Sequence, residues 1–206
     1  MSAVFYDIFN SILIWDIYIG KLKGHIVYLS GPMDQVADGG EIWRKLVTPR
    51  FYALGMGVLD PSNKASLESN LMEDFSFRAK LDQLKEEERW DEVEALAKPV
   101  VGYDLRCVHR SDCTMLYINH EFMFGTTVEF TWGVMQRKPI IIVCEGGKKK
   151  VPGFAWGMTP HEMMFGTFDE AFSYLERVDK GLEPDLRRWQ FFDFNKIYGR
   201  KNVEHS

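Results

Sequence analysis

Apolar residues recur along this chain in two rhythms. Runs that are apolar nearly throughout occur at His25-Ile26-Val27-Tyr28-Leu29-Ser30, Val58-Leu59, Cys113-Thr114-Met115-Leu116-Tyr117-Ile118 and Pro139-Ile140-Ile141-Ile142-Val143, with a last short one at Phe165-Gly166-Thr167-Phe168. Bounded by Gly, Pro and Asp, such runs read as strands buried on both faces. Between them the apolar positions follow helical spacing. Ile42, Leu46 and Phe51, with Trp43 and Tyr52 beside them, mark a helix from about Gly40 to Ala53. Phe77, Leu81 and Leu84, then Trp90, Val93 and Leu96, mark a charged helical stretch. After Lys98-Pro99 a shorter helix is expected through Tyr103, Asp104 and Val108 to Ser111, and another from Asp169-Glu170 to about Val178. This alternation predicts a doubly wound parallel α/β sheet of about five strands with helices on both faces. The whole chain, 1–206, reads as one domain with a core at 25–178. A helical insertion at about 62–98, an N-terminal segment 1–24 and an aromatic C-terminal tail 184–206 decorate it.

The stretch between the third and fourth strands is Phe124-Gly125-Thr126-Thr127-Val128-Glu129-Phe130-Thr131-Trp132-Gly133. Gly125 permits a turn, and a Thr oxygen suits the free N–H groups of a helix start. Val128, Trp132 and Met135 continue at helical spacing, and Lys138-Pro139 closes the helix. Glu129 is therefore expected in the first turn, near the C-terminal edge of the sheet where open α/β folds bind ligands. A carboxylate there also complements the helix dipole without any ligand.

Composition narrows the partner. A net charge of −5, with Lys and Arg scattered, disfavours a nucleic-acid polymer or an anionic membrane and favours a small molecule. Cys107, Cys113 and Cys144 are odd in number and irregularly spaced, which suggests a reducing compartment and no disulfide framework. Cys107, His109 and Cys113 lack a second ligand pair, so no metal is expected. The apolar stretch from Phe5 to Ile19 is interrupted by Asp7, Asn10 and Asp16 and carries no Lys or Arg. It reads as a packing segment rather than a leader or membrane anchor, and the expected location is cytoplasmic. The stretch Pro152 to His161, rich in Gly, Trp and Met, suggests a lid over a site.

There is no G-x-G-x-x-G after the first strand, no phosphate-binding loop of the G-x-x-x-x-G-K-[ST] type and no G-x-S-x-G elbow. What remains is a set of acidic and hydroxyl groups at strand ends: Tyr28, Asp60, Asp104 and Glu129. Two carboxylates in distinct environments can cleave a glycosidic bond, one as nucleophile and one acting on the leaving group. Each residue has a plainer role as well. A strand tyrosine is commonly core, and Asp before Pro61 is a common turn residue.

The order of motifs is more telling than any one of them. Tyr28-Leu29-Ser30-Gly31-Pro32-Met33, then Leu59-Asp60-Pro61, Tyr103-Asp104 and Gly125-Thr126-Thr127-Val128-Glu129 together resemble the nucleoside 2-deoxyribosyltransferase superfamily, which includes nucleoside-monophosphate N-glycosidases. The resemblance covers about 25–60 and 100–178. It implies a Rossmann-like fold, no cofactor, and a homo-oligomer whose sites are shared between subunits. It implies Glu129 as the nucleophile that forms a covalent deoxyribosyl intermediate, Tyr28 as the group steadying it, and Asp104 as the group serving the base. Gly31, Pro32 and Met33 correspond to the loop beside sugar and base, Asp60 and Asn63 to the base pocket, and Gly125, Thr126 and Thr127 to substrate-binding residues in the turn that carries the nucleophile. Transfer of the sugar to another base is the leading activity; hydrolysis of a deoxynucleoside monophosphate and non-catalytic nucleotide binding are the alternatives. The chain departs from the family at Met123, where transferases often carry Asp and phosphate-recognising hydrolases often carry Ser. Thr126, Thr127 and the helix start, assisted by Arg44, Arg106 or Arg110, remain as candidate anion ligands.

Overall fold

The structure is a computed structural model that describes residues 20–33, 36, 38–63, 75–119, 124–183 and 189. Its apolar runs form a five-stranded, wholly parallel sheet: β1 (Ile26–Ser30), β2 (Gly57–Leu59), β3 (Cys113–Ile118), β4 (Ile140–Cys144) and β5 (Met164–Phe165). Their order is β2-β1-β3-β4-β5. Tyr28 stands in register with Leu59 of β2 on one side and Thr114 of β3 on the other. The chain winds outward from β1 to β2, then returns to β3 on the opposite side of β1. The direction of winding therefore reverses between β1 and β3, and the carboxyl ends of those strands open on the crevice where doubly wound folds bind ligands.

Helices α1 (Glu41–Ala53), α3 (Trp90–Arg110), α4 (Phe124–Met135) and α5 (Phe168–Asp179) cover the sheet, and α2 (Phe75–Glu86) packs on α3. On one face Val27, Leu29, Met115 and Ile141 pack with Trp43, Val47 and Phe51 of α1 and with Phe172, Leu175 and Val178 of α5. On the other, Tyr28 meets Cys107 and Val108 of α3, while Leu116 and Ile142 meet Phe130 of α4. The helices therefore lie on both sides, as the alternation of elements predicts. α5 begins with a reciprocal cap: the Glu170 amide donates to Thr167 Oγ1 at 3.2 Å, and Glu170 Oε2 accepts from the Gly166 amide at 2.8 Å. Trp189, from the C-terminal stretch, is fully buried and donates through Nε1 to the Tyr174 hydroxyl at 2.8 Å. Cys107, Cys113 and Cys144 are all buried. No helix among the described residues is long and apolar enough to cross a membrane.

Several expectations change. In α1 the buried face is Trp43, Arg44, Val47 and Phe51, whereas Ile42 and Leu46 are 72% and 58% exposed. The inward face is thus rotated by one residue from the expected one. Val128, Trp132 and Met135 of α4 also face outward; Thr126, Phe130 and Gly133 face the core. Gly133 permits this because a Cβ there would stand 2.9 Å from Ile140 Cδ1. Pro99 does not separate two helices but lies inside the 21 residues of α3. The missing N–H at Pro99 weakens the helix locally, and burial of Val100, Cys107 and Val108 on the sheet side offsets the cost. The stretch proposed as a lid holds a one-turn helix, Gly153–Trp156, with Val151, Ala155 and Met163 buried beside it. Val151 and Ala155 belong to the same buried cluster as Ile140, Ile142 and Met164. The expectations for residues 1–19, for Met123, for the first part of the insertion and for most of the tail fall outside the described residues.

Candidate active site

Tyr28 and Ser30 are two residues apart on β1, so both side chains leave the same face of the sheet. That face is covered by α3 and α4, and both residues are fully buried. Glu129 approaches from α4. The Tyr28 hydroxyl donates to Glu129 Oε1 at 2.6 Å, and Ser30 Oγ lies 2.5 Å from Oε2 and donates to it. Both distances are those of hydrogen bonds to an ionised acceptor. One strand thus grips both oxygens of one carboxylate.

Asp104 comes from α3, on the same side. Burial first, then the negative charges of Glu129 and Asp104, push the Tyr28 phenol well above its usual pKa; Arg44 pulls weakly the other way. Tyr28 is consequently a neutral donor throughout the neutral range, with two carboxylates close enough to be felt at its oxygen. Glu129 itself sits further along its helix than the sequence suggests. α4 begins at Phe124, and no acidic residue falls in its first turn. Gly125 is therefore helical rather than a turn residue, and the threonines do not start the helix. Helix-dipole complementation contributes little at Glu129, since the effect is confined to the terminal turn. Its position is set by the two hydroxyls instead.

The loop after β1 carries Gly31, Pro32 and Met33 beside this cluster. Gly31 and Pro32 are buried and Met33 half-buried. A Cβ on Gly31 would meet Trp43 at 2.8 Å, so the loop can lie this close to α1 only with glycine there. Gly40, at φ 75°, closes the loop, and a Cβ there would fall 2.1 Å from the Pro32 carbonyl oxygen.

Arg44 holds the loop from beneath. Its Nη1 donates to the carbonyl oxygens of Gly40 at 2.9 Å and Pro32 at 3.4 Å, and its Nη2 to those of Gly31 at 3.1 Å and Leu29 at 3.5 Å. Its Nε faces Asp60 Oδ1 at 3.4 Å. Arg44 is wholly buried and turned to these carbonyls, which corrects its expected part as an anion ligand. Arg106 and Arg110 are exposed on α3.

Asp60 is held by its own turn as well as by Arg44. Its Oδ1 accepts from the Ser62 amide at 2.8 Å and the Ser62 hydroxyl at 2.7 Å as well as facing Arg44. Asn63 is exposed just beyond that turn. Gly125 and Thr127 are exposed at the start of α4, with Thr126 buried between them; a Cβ on Gly125 would meet nothing within 4 Å. The structure therefore brings Tyr28, Glu129 and Asp104 together and adds Ser30. It places Asp60 behind Arg44. Ser30 stands in the Tyr28–Met33 motif with no role assigned to it there, and the signal that finds it is alternation, since a residue two positions after a strand tyrosine shares its face. No group of metal-binding side chains occurs among the described residues.

No protein-family model and no curated protein sequence matches the chain. Among the solved structures that resemble it, three illustrate the low identity. A 2-deoxyribosyltransferase from the psychrotolerant bacterium Bacillus psychrosaccharolyticus is 15% identical, with a TM-score of 0.49 over 73% of this chain and 95% of that one. A 2-deoxyribosyltransferase from Leishmania mexicana is 14% identical, with a TM-score of 0.47 over 74% and 97%. A CMP N-glycosidase from Clostridium botulinum is 15% identical, with a TM-score of 0.40 over 76% and 98%. The fold itself is given by this chain's own sheet order.

Proposed function

We propose that this chain cleaves the N-glycosidic bond of a 2′-deoxynucleoside or its monophosphate and passes the sugar to another base. The observation that carries the reading is the Glu129 carboxylate, held at both oxygens by Tyr28 and Ser30, at the crevice where the sheet reverses its winding. A carboxylate fixed in this way is arranged for nucleophilic attack at one point in space. One Glu129 oxygen uses a lone pair to form a bond to C1′ as the C1′–N bond breaks. The electron pair of that bond goes to the departing base, which takes up a proton. Asp104 holds the base and serves that proton. An acceptor base, or water, then attacks C1′ from the vacated side and loses its own proton. The C1′–oxygen bond breaks with its electrons returning to Glu129. Two inversions give net retention.

The test is a product assay with each 2′-deoxynucleoside and deoxynucleoside monophosphate, with and without free acceptor base. A new nucleoside formed only with acceptor is the expected result. Free base released regardless of acceptor, and only from monophosphates, would replace transfer by hydrolysis. Glu129→Ala should abolish turnover while leaving the fold intact, and activity within a few-fold of the unaltered protein would sink the mechanism.

A further inference from the structure

We propose that Ser30 is a positioning residue for Glu129, whose hydroxyl fixes the second carboxylate oxygen and takes up charge as that carboxylate leaves the sugar. The inference rests on the glycosyl-transfer reading above and assigns a role to a residue that its motifs do not. Its basis is geometric. A single hydrogen bond from Tyr28 to Oε1 would leave the carboxylate free to pivot about that contact. A second, from Ser30 to Oε2, fixes the plane, because both donors come from one rigid strand, two residues apart. Ser30 is fully buried, so its hydroxyl is withdrawn from solvent and turned to the carboxylate.

The two donors also matter to the second half of the reaction. When the acceptor attacks C1′, the bond from C1′ to Glu129 breaks and its electron pair returns to the carboxylate. A hydroxyl already aimed at that group stabilises the returning charge without reorganising. The charges felt at the Tyr28 hydroxyl, which holds the other carboxylate oxygen, are those of Glu129 itself, Asp104 on α3 and Arg44 on α1, and Tyr103 and Cys107 of α3 pack with Tyr28. Ser30 donates to Oε2 directly, at 2.5 Å.

The experiment is a titration of Glu129 by NMR in full-length protein carrying carboxyl-13C glutamate, with the resonance assigned by its absence in Glu129→Gln. Ser30→Ala should move the Glu129 titration upward by about one pH unit, the scale of one lost charge-assisted hydrogen bond. Ser30→Cys, nearly the same size but a weak donor, should move it the same way with the space still filled. Ser30→Thr, which keeps the hydroxyl, should restore it. In turnover, Ser30→Ala should lengthen the life of the glycosyl–Glu129 adduct, seen as an accumulated mass increment in the intact protein. A Glu129 titration unmoved in both the Ala and Cys variants would overturn the proposal. Because the titration needs no substrate, a protein inactive on every nucleoside would end the glycosyl reading, while the shift alone would still decide whether Ser30 controls Glu129.

Discussion

Replacing Arg44 by methionine isolates what a buried cation does for the loop beside the site. Two of its contacts to carbonyl oxygens, at 2.9 Å to Gly40 and 3.1 Å to Gly31, are well-formed hydrogen bonds. The other two, at 3.4 and 3.5 Å, lie at the outer edge of the range and contribute little. Each good bond from a charged donor is worth about 1.5–3 kcal/mol net. Breaking a buried ion pair from one side costs about 3–5 kcal/mol. Asp60, however, keeps both hydrogen bonds from Ser62 and has some access to solvent. These terms overlap and do not sum, so Arg44→Met should lose roughly 3–4 kcal/mol of stability, below the plain total. Urea denaturation at neutral pH measures it, with Asp60→Asn and the double variant completing a cycle. Arg44→Lys should recover only part, because an ammonium cannot present the planar fork to carbonyls and Asp60 together. A loss below about 1 kcal/mol in Arg44→Met, the level of an exposed pair, would refute the claim that the cation organises the loop.

Two further outcomes test other parts of the fold. Arg137 occupies the left-handed region at φ 59° just past α4, with Lys138 N bonded to Gly133 O at 3.1 Å and Arg137 N to Val134 O at 2.8 Å. Arg137→Gly removes the strain of a side chain in that conformation and should raise stability by about 1 kcal/mol in thermal unfolding; a lower melting temperature would contradict the assignment. Asp38 accepts from the amides of Ile42 at 2.8 Å and Gly40 at 3.2 Å, and these bonds, Ile42 foremost, lower its pKa. A depressed carboxyl contributes fully above its unfolded pKa and loses that contribution as pH falls through the folded value. The stability gap between the unaltered protein and Asp38→Ala should therefore be present at pH 7 and shrink below about pH 4. A gap independent of pH would show that the carboxylate charge plays no part in the start of α1.

The strands were legible because burial on both faces leaves no room for polar alternation, so β1, β3 and β4 appear as apolar runs whatever surrounds them. The order of strands and helices then dictated a parallel sheet, and the order of motifs, through the family it resembles, pointed to Tyr28, Asp104 and Glu129. Helix facing was not legible. α1 is apolar at 42, 43, 46, 47, 51 and 52, a stripe so wide that two neighbouring faces qualify, and the crossover between β1 and β2 selected Trp43, Val47 and Phe51. In α4 the more hydrophobic face is the outer one, because close approach to β4 needs Gly133 rather than bulk. Arg44 read as a surface cation for an anion, yet the loop above it folds its carbonyls inward and needs a buried donor. Ser30 entered only when α4 brought Glu129 across to the face of β1. Sequence periodicity reports which residues avoid water, whereas the pairing of one polar group with another from a distant element is fixed only by how those elements cross.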